Sequence, residues 1–542
     1  MLRHPLLPIW LQNWAFLRML SMTMPLVAIR LSPTQPATNM PLSARPEYFS
    51  HTNKPGKSRL VFVYFVFFLW LSGCNHEAIA KMPVPPIDPA EILPGGNTSV
   101  SITPFASFEK PAQNLPHDQK PDFHAGKALA NQPWIKAPTS TTSRDGLGPV
   151  YNARTCLACH INGGKGAVPD NNQQRLFSAF LRISVPGTNS TLGVQPEPTY
   201  GDQLQTQSVS LAHQLGQITE ENSQSNGVKP EAYVYLNWVE SSFTYSDNHT
   251  VTLRYPEPEI RQLQYGPLQK NTLFSLRVAP AIPGMGLIEL IEQSDIEKLA
   301  DPHDRNQDGI SGRINRVWDA RSQKTVPGRF GMKANRPDVA MVVAAAFAND
   351  VGISNRLFPD QPCTTKQTRC LDEPSGNDDT GIEIADPLFG LVVGFTQNLA
   401  VPVRRNADDK WVQQGRSLFY ETGCSGCHHP RYVTGRSTKN PHLSEQTIWP
   451  YSDFLLHDMG PGLADGRPDF EASGNEWRTP PLWGIGLTKA VNGNANLLHD
   501  GRARSVEEAI LWHGGEAGPA QQAFIDLPEQ QRELLIQFVE SL

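Results

Sequence analysis

Two copies of Cys-x-x-Cys-His constrain this chain more than any other feature: Cys156-Leu-Ala-Cys159-His160 and, far downstream, Cys424-Ser-Gly-Cys427-His428. That spacing is the attachment signal for c-type haem. Two thiols reach the porphyrin vinyl groups as thioethers, and the adjacent histidine then binds the iron. Gly415, Phe419 and Tyr420 precede the second copy at helical spacing. A single copy could equally be a redox dithiol or half a zinc site. Two copies in a chain with an export signal point to haem at both, with His160 and His428 as proximal ligands.

The remaining cysteines fit an exported protein. Cys363 and Cys370 flank a short polar loop, CTTKQTRC, and are expected to form a disulfide in an oxidising compartment. Cys74 ends Leu71-Ser72-Gly73-Cys74, which resembles the bacterial lipobox and implies a lipidated mature N-terminus. Ahead of it, Lys54, Lys57 and Arg59 precede an apolar run, Val61 to Leu71, that is too short to span a bilayer and matches a signal-peptide core. Residues 1–74 are therefore read as an export signal, with translation expected to start near Met40. Asn75, rather than Asp, after the lipid cysteine leans towards the outer membrane of a Gram-negative host. The net charge of −6 and the lack of a Gly-rich phosphate loop give no sign of nucleic-acid binding.

Beyond the signal, residues 75–121 are rich in proline and read as a mobile tether. Residues 122–400 are expected to hold the first haem motif, interrupted at about 175–265 by strand-like segments such as EAYVYLNWVE and HTVTLRY. Residues 401–542 are expected to hold the second. Arg277-Val-Ala-Pro-Ala-Ile-Pro-Gly-Met-Gly-Leu-Ile-Glu289 has a near-copy in Arg478-Thr-Pro-Pro-Leu-Trp-Gly-Ile-Gly-Leu487. On that repeat, the expected fold is mainly α: two cytochrome c-like haem domains related by duplication, with a β-rich insertion in the N-terminal half. Asp304, Asn306 and Asp308 alternate ahead of Gly309 like the start of a calcium loop, but Asn315 stands where the bidentate Glu is expected. An Asx turn is the competing reading.

The stretches GLGPVYNARTCLACHINGGKG, LLHDMGPGLADGR, EWRTPPLWGIGLT and LLHDGRARSVEEAILWHGGEA together resemble the bacterial di-haem oxidoreductase family. More distantly, the C-terminal half is similar to di-haem cytochrome c peroxidases and the related maturation oxidases. The resemblance implies a periplasmic enzyme that passes electrons between two haems, taking them from a small redox protein and reducing peroxide or a similar oxidant. A pure electron-transfer protein and an oxidase acting on a protein partner are the alternatives. In the distant relatives a methionine often precedes His-Asp-Gly and binds iron; Leu498 stands there instead.

Met459, in the loop HDMGPG, is then the first choice on the far side of the second haem, with His457 and His499 behind it. His499 and Arg502 also suit the haem edge or a propionate. For the first haem, Met285, Met332, Met341 and His213 compete with a vacant position. If it is vacant, Arg277 and Glu289 would stabilise charge and move protons. Trp483 is a candidate to lie between the haems.

Overall fold

Forty-seven prolines and 42 glycines limit how far any helix or strand can run. The computed structural model describes residues 83–102, 107–141, 143–210 and 227–542. The export signal, Cys74 and His213 lie outside them. Among the described residues the longest helix has 13 residues, and no helix is long and apolar enough to cross a membrane. Helix makes up 28% and strand 18%, so the expectation of a mainly α protein of two cytochrome c-like domains does not hold. Long Gly/Pro-rich connections and small two-stranded sheets replace most of the expected helix.

What each motif does keep is one helix pair. Helix α1 (Lys120–Asn131) packs on α2 (Asp386–Gln397), and α3 (Lys410–Glu421) packs on α4 (Glu529–Ser541). A Cβ at Gly126 would collide with the carbonyl of Leu391, and one at Gly415 with that of Leu534. Glycine is therefore required at both crossings, which explains its position upstream of each motif. The near-repeated segments also pack alike. Gly286 abuts the carbonyl of Gln397 at the end of α2, and Gly486 abuts that of Glu540 at the end of α4.

The β-branched segments do form strands. β1 (Ala179–Ser184) pairs antiparallel with β4 (Leu273–Val278), and between them β2 (Tyr233–Thr244) and β3 (Thr250–Arg261) make a long hairpin. Arginines cover its aromatic residues: Arg254 lies 3.9 Å from the Trp238 ring and Arg261 3.9 Å from Tyr235. The hairpin tip reaches α4. Arg532 stacks over Tyr245 at 3.8 Å and pairs with Asp247 at 2.6 Å.

The described residues belong to one compact unit. The proline-rich stretch expected to hang free is docked where it is described. Short 3-10 turns at Pro89–Ile92 and Gly96–Thr98 lie against the C-terminal half, with Trp449 N donating to Pro94 O at 2.7 Å and Val100 N to Val401 O at 3.0 Å. Cys363 and Cys370 form a disulfide in a loop over the 227–231 segment.

A buried carboxylate lies beneath that loop. Glu231 is fully buried and accepts from Gln205 N at 2.6 Å and from the Gln367 amide. Burial pushes its carboxyl up to about 8 from an ordinary 4.5, more than these donors pull it down. Between those two values the folded chain holds a proton that the unfolded chain has lost, so this group makes stability fall as pH rises from 4.5 towards 8. Glu231→Gln should flatten that slope. Urea midpoints of wild type and variant measured from pH 5 to 8 would check it; parallel curves would refute the burial argument.

Candidate haem sites

The first motif sits at the end of the β1–β4 ladder. Ala279 N donates to Ser178 O at 3.2 Å, Ser178 Oγ donates to Ala158 O at 3.1 Å, and Gly166 N donates to Ala279 O at 2.8 Å. Thr155 caps the single turn Cys156–Cys159, accepting from Ala158 N at 2.9 Å. His160 Nδ1 lies 2.7 Å from the carbonyl oxygen of Pro280. A carbonyl only accepts, so Nδ1 carries the hydrogen and Nε2 keeps a free lone pair.

At the second motif α3 ends in a left-handed Gly423, and the chain turns through Cys424–Gly426. His428 Nδ1 lies 2.9 Å from the Tyr451 carbonyl oxygen, which fixes the same tautomer. Burial pushes His428 down to about 4, with the Tyr451 carbonyl opposing and repulsion from His513 adding to the effect. Burial likewise lowers His160, against the Pro280 carbonyl. Both imidazoles are therefore neutral near pH 7, the form that binds a metal.

These residues fit a haem. None of the four motif cysteines is disulfide-bonded, and burial pushes Cys156 up to about 12 and Cys424 to about 11, raising Cys159 and Cys427 as well. Thiols that resist ionisation suit dithiol exchange poorly. Along the β1–β4 ladder that leads to the first motif, Arg277 Nη2 and Arg467 Nε are buried without a hydrogen-bond partner. Such donors suit the carboxylates that a haem carries.

The two residues proposed for acid–base work lie in separate networks. Arg277 pairs with Asp469 at 2.9 Å and with Ser275 at 3.0 Å. Glu289 accepts from Val339 N at 2.9 Å, capping the helix Val339–Ala346, and from Gln397 Nε2 at 2.5 Å. Met285 and Met341 are buried in the core, and Met332 lies in the loop whose carbonyl accepts from Arg478 N. Trp483 belongs to the same core as Met285, with its ring against Gly284.

His457 lies against the second motif, 3.7 Å from Cys427 Sγ, but both ring nitrogens are taken: Nε2 by Asp453 at 2.8 Å and Nδ1 by Glu516 at 2.7 Å. Burial opposes its charge, yet Asp453, with Cys427 adding to the effect, holds it well above the ordinary histidine value. A doubly donating imidazolium has no lone pair for iron. The sequence pointed to His457 but not to Asp453 or Glu516, because those contacts are made by tertiary packing.

The residues after the calcium-like run complete this group. Ser311 N and Oγ donate to Glu516 at 2.9 and 2.7 Å, and Gly312 abuts the His457 ring. The run itself is a self-bonded turn. Asp304 Oδ1 accepts from Asp308 N at 3.0 Å, and Asn306 Nδ2 donates to Asp308 at 2.9 Å. Asn315 points inward to Lys333 O and Asp469 O.

Met459 and His513 lie on segments whose backbones touch. The backbone of Gly514–Gly515 packs on that of Asp458–Gly460. His513 went unnoticed in the sequence because it reads as the end of a helix. Its Nδ1 lies 2.7 Å from the Ala509 carbonyl, again leaving Nε2 free, and it is close enough to His428 to repel its charge.

The His-Asp-Gly-Arg loop packs on the first motif. Lys165 Nζ donates to Leu498 O at 2.8 Å, and Val278 N donates to His499 O at 2.9 Å. Arg502 pairs with Asp500 and reaches Gly462 O. His499 stacks on Trp477, with ring centroids 3.7 Å apart and planes 13° off parallel. Trp477 in turn sits on β6 (Glu476–Arg478), directly across from His457 on β5 (Leu456–Asp458). Trp477 is thus an aromatic residue that links the surroundings of the two motifs, alongside the sequence candidate Trp483.

Residues 93–542 match the family described as "di-haem oxidoreductase, putative peroxidase". The chain belongs to the di-haem oxidoreductase family. No match was found among curated proteins or among solved structures. The tautomers at His160 and His428 leave in each ring a nitrogen able to bind a metal.

Proposed function

We propose that this chain is an exported, lipid-anchored oxidoreductase. It carries one c-type haem on Cys156, Cys159 and His160 and another on Cys424, Cys427 and His428. It takes electrons from a small cytochrome or copper protein and passes them to a small oxidant, hydrogen peroxide being the leading choice. The observation that supports this most is the shared geometry of the two motifs: two thiols free of any disulfide beside a histidine whose Nδ1 is held by a backbone carbonyl and whose Nε2 is free.

Haem bound there supplies reversible one-electron exchange, which no side chain of this site can supply. Reducing hydrogen peroxide to two waters consumes two electrons and two protons, so two one-electron centres match the demand of one turnover. The protein's part is to orient His160 and His428 and to brace the second motif through Asp453, His457 and Glu516. The Trp477–His499 stack, running from the strand opposite His457 to the loop on the first motif, offers a packed route between them. A haem held on Cys424, Cys427 and His428 would have room for one further protein ligand, and Met459 or His513 is the candidate to supply it. An export signal ending at Cys74 supports placement in the periplasm, at the outer membrane given Asn75.

Spectra of the haem-loaded protein, oxidised and half-reduced, before and after one equivalent of peroxide, test the reading. A high-spin haem that shifts with peroxide is expected. Two low-spin haems that ignore peroxide in both states would make this an electron-transfer protein instead. Turnover with a reduced donor then separates a peroxidase from an oxidase acting on a protein partner.

A further inference from the structure

We infer that Glu91 and Tyr451 are positioning residues for His428, so that the docked N-terminal segment sets the geometry of the second proximal histidine. Glu91 lies upstream of the region that matches the family. Its carboxylate is nonetheless 2% exposed and held from three sides. Arg404 Nη1 donates to Oε1 at 2.5 Å, Arg416 Nε donates to Oε2 at 3.2 Å, and the Tyr451 hydroxyl donates to Oε1. Arg416 belongs to α3, the helix that leads into the motif, and also donates to Pro85 O at 2.9 Å.

Tyr451 connects this cluster to the ligand. Its backbone has φ of 51°, in the left-handed region that a bulky side chain rarely adopts. Only in a fixed orientation does its carbonyl accept from His428 Nδ1 at 2.9 Å. Two clamps hold that orientation. The fully buried ring sits edge-on to Phe419 of α3 and Phe538 of α4, each 5.7 Å away, and the hydroxyl is tied to Glu91. The group accepting a ligand histidine's second N–H fixes its ring plane and tunes how strongly it donates to iron. At the first motif the same task falls to Pro280, which has no side-chain hydroxyl to anchor. The Glu91–Tyr451 tie therefore acts on one histidine and not the other.

This inference rests on the proposal of haem at His428, and one experiment separates the two. The midpoint potentials of both haems are measured by spectroelectrochemistry on full-length, haem-loaded protein: wild type, Tyr451→Phe, Glu91→Gln and the double variant. Tyr451→Phe changes no charge and keeps the ring packing, so it carries the test even if Glu91→Gln folds poorly. A loosened Nδ1–H bond makes the imidazole a weaker donor, so the potential of one haem should rise while the other stays fixed. Because both residues act through one bond, the double variant should shift less than the sum of the singles. Unchanged potentials in Tyr451→Phe, equal shifts in both haems, or additive shifts would overturn the inference. A wild-type chain with no haem on Cys424 and Cys427 would overturn the underlying proposal, and the inference with it.

Discussion

Replacing Cys424 and Cys427 together with serine is expected to lower the haem content from two per chain to one, leaving the haem on Cys156 and Cys159 in place. Serine keeps the size of the side chain but cannot form a thioether, and His428 alone does not hold a haem against dissociation. A pyridine haemochrome assay against protein concentration reads the ratio directly, and a tryptic digest shows which peptide retains the mass of haem. Peroxide turnover should disappear in the same variant, because one centre can no longer supply the second electron. The single motif that remains is the one whose own loop reaches Leu498 through Lys165, away from the substituted cysteines, so its spectrum should survive largely unchanged. Unaltered haem content would mean that the second motif serves another purpose.

The second large effect is expected at Asp469, which is 4% exposed and the hub of a buried charge cluster. It accepts from Arg277 at 2.9 Å and Asn335 at 2.9 Å, with Arg467 at 3.7 Å. Burial works to raise its carboxyl, but Arg277, Arg467, Arg336 and Arg182 outweigh it and bring the value down to about 2. Asp469→Ala leaves buried guanidinium groups without their anion, a change that costs about 3–5 kcal/mol in comparable buried pairs. Removing the facing cation as well, in Asp469→Ala with Arg277→Leu, should recover part of that loss, since the unpaired charge goes with it. Chemical denaturation of the four chains in the cycle measures both terms. A loss below about 1 kcal/mol in Asp469→Ala would show that the cluster is not what secures this region. The neighbouring Lys333 makes the same point about packing: its ammonium is buried, bonded to Asp465 at 2.9 Å and to the carbonyls of Arg467 and Ser473.

Features encoded by neighbouring residues were legible in the sequence. Cys-x-x-Cys-His needs five consecutive residues, and the strand segments around Tyr233 and Thr250 needed only their own alternation. The helix-crossing glycines, Gly126 and Gly415, were visible as positions but not as contacts. Fold class failed because the two motifs and the repeated segments were read as whole domains. In the structure they are one helix pair each, within a body made largely of loops and two-stranded sheets. The proline-rich segment misled for a related reason: composition gives backbone stiffness, but docking depended on one buried carboxylate, Glu91, meeting Arg404 and Arg416 more than 300 residues later.

The amino-acid sequence alone determined the chemistry available to this protein: two thiol pairs each followed by a histidine, and a family membership carried by motifs along most of its length. Only the tertiary structure decided how those groups are presented. It placed Pro280 and Tyr451 behind the two histidines, took His457 out of contention by giving both of its nitrogens to carboxylates, and stacked Trp477 on His499. The reason is physical. Covalent spacing fixes what neighbours in the chain can do together, whereas a hydrogen bond between residues hundreds of positions apart forms only after the core has packed and brought them into reach.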